Sequence, residues 1–167
     1  MTFSEATIQN LVKEHYGLNV TVISLNGYDE LNFLLSNDKN QKYILKISNE
    51  SHPFPFLEAQ IKIIQHLSKS AVSDCFQHFC INKQGDELTK IVLHSKTFYL
   101  RILNFFEGVF WVEKETKTNE LYYNLGSFMG NMDHALQDFS HLAMHRKYTW
   151  DISRASETTA NLKHILD

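Results

Sequence analysis

The chain has 167 residues, enough for one domain or for one small lobe with part of another. With 43% hydrophobic and 21% charged residues, two prolines and six glycines, its composition is that of an ordinary globular protein and excludes a disordered or fibrous one. The formal net charge of −3 provides no broad basic field, so neither nucleic acid nor an acidic membrane is an expected partner.

The N-terminal residues Met1 to Glu5 carry no basic or apolar leader, and no apolar run reaches membrane-spanning length, so a cytoplasmic location is expected. Cys75 and Cys80 lack a second Cys or His pair at zinc-ribbon spacing and are read as free thiols.

In chain order, Ser4 caps a predicted helix over about residues 5–16, whose apolar face is Ile8, Leu11 and Val12, and Gly17 stops it. Val20 to Leu25 is rich in β-branched residues and turns at Asn26-Gly27, and Leu31 to Leu35 resumes the extended pattern. Asn37 to Asn40 is a second polar turn before the strand Tyr43 to Ser48, giving three antiparallel strands in succession. Pro53 and Pro55 punctuate the exit, and Ile61, Ile63, Ile64 and Leu67 form the apolar face of a helix with Glu58 in its first turn, where a carboxylate suits the helix dipole.

Phe79 to Ile81, Leu88 to Leu93 and Thr97 to Leu103 read as further strands, the first two joined through Gln84-Gly85-Asp86. From about Asn119 the period becomes helical, with Leu121, Leu125, Phe128, Met129 and Met132 on one stripe as far as Leu136, and a final helix is predicted over 153–166. These strands give a sheet of five or six, and the fold class is α+β: a mixed or antiparallel five-stranded sheet with one packed helix, an N-terminal helix and a helical C-terminal segment.

The most telling feature is Lys46 within an apolar strand, followed by Glu58 near the start of a helix. Strand, lysine, helix and glutamate in this order form the front half of a kinase nucleotide site. Together with Leu25 to Phe33, Glu58-Ala59-Gln60, Arg101 to Gly108, Leu125 to Leu136, Arg146 and Trp150-Asp151, this pattern resembles the aminoglycoside phosphotransferase and choline kinase-like superfamily, in its hydroxylysine kinase-like branch.

The resemblance implies a protein kinase-like N-lobe over residues 1–106, with a hinge and the start of an incomplete helical C-lobe over 107–167. It implies that Lys46 binds nucleotide phosphates, that Glu58 orients it, and that Gly27 to Asn32, including Tyr28, form the loop over the nucleotide. Asn104, Phe105, Phe106 and Glu107 would form the hinge, where backbone groups of the Phe105 to Glu107 stretch meet a purine edge. The implied cofactors are ATP or GTP with Mg2+, and the implied substrate is a small molecule with a hydroxyl or amino-alcohol group. A fused aminotransferase is a known arrangement of this branch.

No His-Gly-Asp-like catalytic loop and no metal-binding Asp-Phe-Gly-like motif occurs before Asp167. His145-Arg146-Lys147 has lysine where a base would stand. The leading reading is thus the nucleotide-binding part of a small-molecule kinase, inactive as this chain alone, with a dimer expected through the apolar surface that the missing lobe would cover. The alternative is a non-catalytic interaction or regulatory module that keeps the lobe's shape. A third, a metal-dependent hydrolase on His141 and His145, needs those residues on successive helical turns and a third ligand. The aromatic residues around Phe105, Phe106, Phe110 and Trp111 read as packing, and Trp150-Asp151 as a packing and capping element.

Overall fold

A computed structural model describes residues 3–146, 148 and 151–162 of the chain, and its first helix, α1, spans Glu5–Tyr16. Its limits follow from its caps. The Ser4 hydroxyl accepts the Thr7 N–H, and Gly17, at φ +73°, donates its N–H to the Lys13 carbonyl. Ile8, Leu11 and Val12 are buried against the sheet, a gain of about 1.5–3 kcal/mol each.

The strands are β1 Val20–Leu25, β2 Leu31–Asn37, β3 Lys42–Ser48, β4 Thr89–Leu93 and β5 Lys96–Asn104. They form one antiparallel sheet in the order β1-β2-β3-β5-β4. Strand alternation divides the sheet into two chemically distinct faces. Val20, Val22, Phe33, Leu35, Leu45, Ile47, Ile91, Phe98, Leu100 and Ile102 pack with α1 in the main core. Lys46, between Leu45 and Ile47, is thereby directed to the opposite face, and so is Arg101 between Leu100 and Ile102.

Helix α2, Phe54–Leu67, begins a turn earlier than the prolines suggest, because Pro53 occupies the N-cap and Pro55 one of the first helical positions, where a missing N–H costs nothing. Glu58 consequently lies in the second turn, and the expectation that it sits in the first is corrected. The predicted strand at Phe79 to Ile81 is reduced to a single bridge, Phe79 to Leu103. β4 pairs with β5 only from Lys96 to Leu100, so the 78–80 segment covers the rest of that edge, with Cys80 N–H bonded to the Ile102 carbonyl. The Gln84-Gly85-Asp86 turn exists, organised by the Asn82 side chain, but it closes no hairpin between strands.

Helix α3 spans Asn119–Leu136, as its period predicts, with Thr118 as N-cap. None of its residues is buried, although it touches α2 through His66 Nε2, which bonds the Ala135 carbonyl at 2.6 Å, and Phe128 meets Phe76 of the segment after α2. The final helix, α4, spans Ala155–Leu162 after a 3-10 turn at Ile152–Arg154 that Asp151 caps; residues 163–166 of the predicted helix, with Lys147 and Trp150, lie outside the described residues. Among the described residues no helix is long and apolar enough to cross a membrane.

Candidate functional site

A cleft of about 490 Å³ opens on the sheet face opposite α1. The β1–β2 loop contributes Tyr28, Asp29 and Glu30, and the strands contribute Asn32 and Lys46. Ser51, His52, Phe56 and Gln60 line it from the α2 side, and Arg146 and Tyr148 from the segment after α3.

Its floor follows from strand register. Asn32 on β2 stands opposite Lys46 on β3, and Lys46 opposite Arg101 on β5, so three polar side chains cross the sheet in one rung. One rung toward the hinge, Ile23, Leu34, Ile44 and Leu103 are likewise paired across four strands and form an apolar platform. Two residues of strand separate the rungs, roughly 7 Å.

Arg101 is the buried centre of the polar group, at 1% exposure. Its guanidinium donates to the Glu30 carboxylate, to Gln60 Oε1 on α2 and to the Ser48 hydroxyl. Ser48 also donates to Glu30, whose second oxygen lies 3.5 Å from Lys46 Nζ. The Glu30 carboxyl is pushed up by burial, but Arg101, the Ser48 hydrogen bond, Lys46 and His52 together hold it below its ordinary value. Burial pulls the Arg101 guanidinium down from its ordinary value, and Glu30 opposes that shift.

Gly27 shapes the loop by close approach rather than by a left-handed backbone: an added Cβ would lie 2.0 Å from the Glu30 carbonyl oxygen and 2.5 Å from Asn32 Nδ2. Asn32 donates to that same Glu30 carbonyl. Asn32 Oδ1 and Arg101 Nε, both on the polar rung, are the buried side-chain atoms lacking a hydrogen-bond partner among the described residues.

Several expectations from sequence are redirected. Lys46 pairs with Glu30 and not with Glu58, which instead pairs with Lys62 at 3.0 Å and lies 3.7 Å from His141. The reason is helical geometry. Positions two apart on a helix are roughly 200° apart, so once Gln60 faces Arg101, Glu58 faces away. At the hinge, Asn104 is consumed in holding the 77–78 segment: its N–H and side-chain oxygen bond His78, and its carbonyl accepts from Gln77. The Phe105 N–H bonds the Lys42 carbonyl, and Glu107 pairs with Lys42 at 2.6 Å. The cleft brings together Lys46, Tyr28 and Asn32 from the sequence expectation; Glu30 was expected only as part of the Gly27 to Asn32 loop, and Arg101, Gln60, Ser48 and Arg146 were not singled out as site residues.

His141 and His145 are not on successive helical turns, because the chain between them is a 3-10 turn that His141 itself caps. Among the described residues, no group of three or more His, Cys, Asp or Glu side chains is placed to hold a metal ion.

Solved structures with this fold include two small-molecule kinases. Amicoumacin kinase hAmiN in complex with AMP-PNP, Ca2+ and Ami superposes with a TM-score of 0.69 at 16% identity, over 94% of this chain and 48% of that one. The microcompartment-associated aminopropanol kinase gives 0.66 at 18% identity, over 93% and 48%. The chain thus spans about half the length of either kinase, and at these identities the likeness is one of fold, α+β in the manner of a kinase-like N-lobe followed by helices. No curated protein matches the sequence. Residues 20–166 match the model of the phosphotransferase enzyme family, and the chain belongs to that family.

Proposed function

We propose that this chain is the nucleotide-binding part of a small-molecule phosphotransferase that uses ATP or GTP with Mg2+ to phosphorylate a hydroxyl or amino-alcohol substrate. Residues 1–106 form the nucleotide lobe, and 107–167 form the hinge and the beginning of a helical lobe. The observation that carries this reading is the pair of adjacent rungs beneath one glycine-shaped loop: an apolar platform suited to a purine ring, then Lys46 suited to its phosphates. With the Asn104 groups and the Phe105 N–H already engaged, the purine edge falls to the backbone of Phe106 and Glu107.

The residues fit a nucleotide better than they fit its metal. Glu30 is charge-compensated by Arg101, so Lys46 retains a positive charge for phosphate. Any Mg2+ carried by the nucleotide receives no ligand cluster from the described residues. The nucleotide supplies the γ-phosphoryl group; this chain's residues bind and orient it. Phosphoryl transfer also needs a carboxylate to orient the acceptor, and no catalytic-loop sequence for one is present, so the chain alone is expected to be inactive. The unburied α3, exposing Tyr122, Tyr123, Leu125 and Met129, favours a lobe that works against another surface over a self-contained module.

Calorimetric titration with Mg-ATP and Mg-GTP, with Lys46→Ala as control, tests the reading. Saturable binding that Lys46→Ala abolishes is expected. Absence of binding by the wild-type chain, or binding indifferent to Lys46, overturns it.

A further inference from the structure

We propose that Glu30, a carboxylate of the β1–β2 loop locked from beneath by buried Arg101, is the residue that positions Lys46, in place of a carboxylate from helix α2. The proposal rests on the nucleotide-binding reading of the cleft and adds the group that aims its lysine.

The sheet register puts Glu30 in reach. Leu31 pairs with Ile47 and Asn32 with Lys46, so Glu30, immediately before the start of β2, comes beside Ser48 and on the face that carries Asn32 and Lys46. Its side chain is only 13% exposed, whereas that of Glu58 is 37% exposed and already pairs with Lys62.

Charge decides what such a carboxylate can do. Paired with Lys46 alone, Glu30 would consume the lysine's charge and leave the site neutral toward phosphate. Arg101 changes this. Its buried guanidinium takes one Glu30 oxygen, leaves the other for Lys46 at 3.5 Å, and the three groups together carry one net positive charge. Lysine has three donors, so one N–H directed at Glu30 leaves two for a phosphate. Gln60 on α2 bonds Arg101 rather than Lys46, so the helix supports the anchor and not the lysine directly. Glu30 is therefore a positioning residue, and because it sits in the loop, loop and lysine are aligned as one unit.

The experiment measures Lys46 itself. The full chain is treated with an amine-acetylating reagent, and the rate of modification at Lys46 is read by peptide mass spectrometry against exposed Lys39 and Lys90 as internal references. Glu30→Gln is expected to raise the Lys46 rate about two- to fivefold, the range for loss of one partly exposed ion pair, with the reference lysines unchanged. Ser48→Ala, a milder change that loosens Glu30, is expected to raise it less and keeps the test open if Glu30→Gln does not fold. Glu58→Gln is expected to alter it by less than Ser48→Ala does. An unchanged Lys46 rate in both Glu30→Gln and Ser48→Ala, or a larger effect from Glu58→Gln, overturns the proposal. In parallel, Mg-ATP affinity should weaken in Glu30→Gln by a factor similar to the labelling change. Failure of the wild type to bind nucleotide sinks the cleft's functional reading, whereas the labelling result decides separately which carboxylate holds Lys46.

Discussion

Replacing Arg101 by Met tests the physics of the buried cluster most directly. The guanidinium is 1% exposed and holds Glu30, Gln60 and Ser48 at once. Methionine fills part of the volume but strands the Glu30 carboxylate beside a lysine at 3.5 Å and one hydroxyl. Removing one partner of a buried pair costs about 3–5 kcal/mol, a large share of a total stability of about 5–15 kcal/mol. The pH dependence carries the sharper signature. In the wild type the folded-state value of Glu30 is lowered, so its stabilisation is fully present above the ordinary value of 4.5 and is lost as pH falls through the lowered value. Burial is already the largest single influence on Glu30, and without Arg101, the strongest of the groups opposing it, burial prevails and raises Glu30, so the variant gains stability relative to wild type on acidification. Urea denaturation followed by circular dichroism should show a deficit that is largest near about pH 7 and narrows toward about pH 4.5. Adding Glu30→Gln to Arg101→Met removes the stranded charge and should recover most of the loss. A deficit below about 1 kcal/mol, or one independent of pH, would refute the argument.

Gly27→Ala places a Cβ 2.0 Å from the Glu30 carbonyl, so the loop must move; thermal denaturation should show a loss of about 1–3 kcal/mol, and Mg-ATP titration a weakened affinity. Tyr16→Phe removes the hydroxyl that donates to the Leu100 carbonyl and accepts from Thr89, and a loss of about 1–2 kcal/mol is expected in chemical denaturation. Glu107→Gln breaks the pair with Lys42, but the Glu107 side chain is 74% exposed, so stability should change by no more than about 0.5 kcal/mol. A larger change would mean that the hinge is held by that pair rather than by the backbone bonds of Asn104 and Phe105.

Elements with strong local signals were legible. Ser4 and Gly17 bracket α1 because capping is a property of two or three neighbouring residues. The α3 stripe gave the helix but not its burial, since period reports amphipathicity and not whether another surface covers the apolar side. Phe79 to Ile81 has the composition of a strand, yet the available edge of β5 accepts only one bridge beyond the end of β4. Edge space is a tertiary quantity that no window of sequence contains.

The site divides in the same way. Lys46 was legible because a lysine between Leu45 and Ile47 can stay charged only on the opposite face of the strand. Its partner was not, because an order of motifs says which residues follow one another and not which way a helix is rotated. A signal for that rotation was nonetheless present in α2. Leu57, Gln60, Ile64 and Leu67 fall at the spacing of one helical stripe, with Leu57 and Leu67 buried, and Gln60 is the polar member of that stripe. A polar residue on a buried stripe requires a polar partner beneath it, and on β5 the only candidate between the core residues Leu100 and Ile102 is Arg101. A buried arginine in turn requires a carboxylate, which neither α2's far-facing Glu58 nor any residue of β3 provides; the loop's Glu30 does. Followed in this order, from helix phase to buried cation to its counter-charge, the pairing of Lys46 with Glu30 is a consequence of satisfying Arg101.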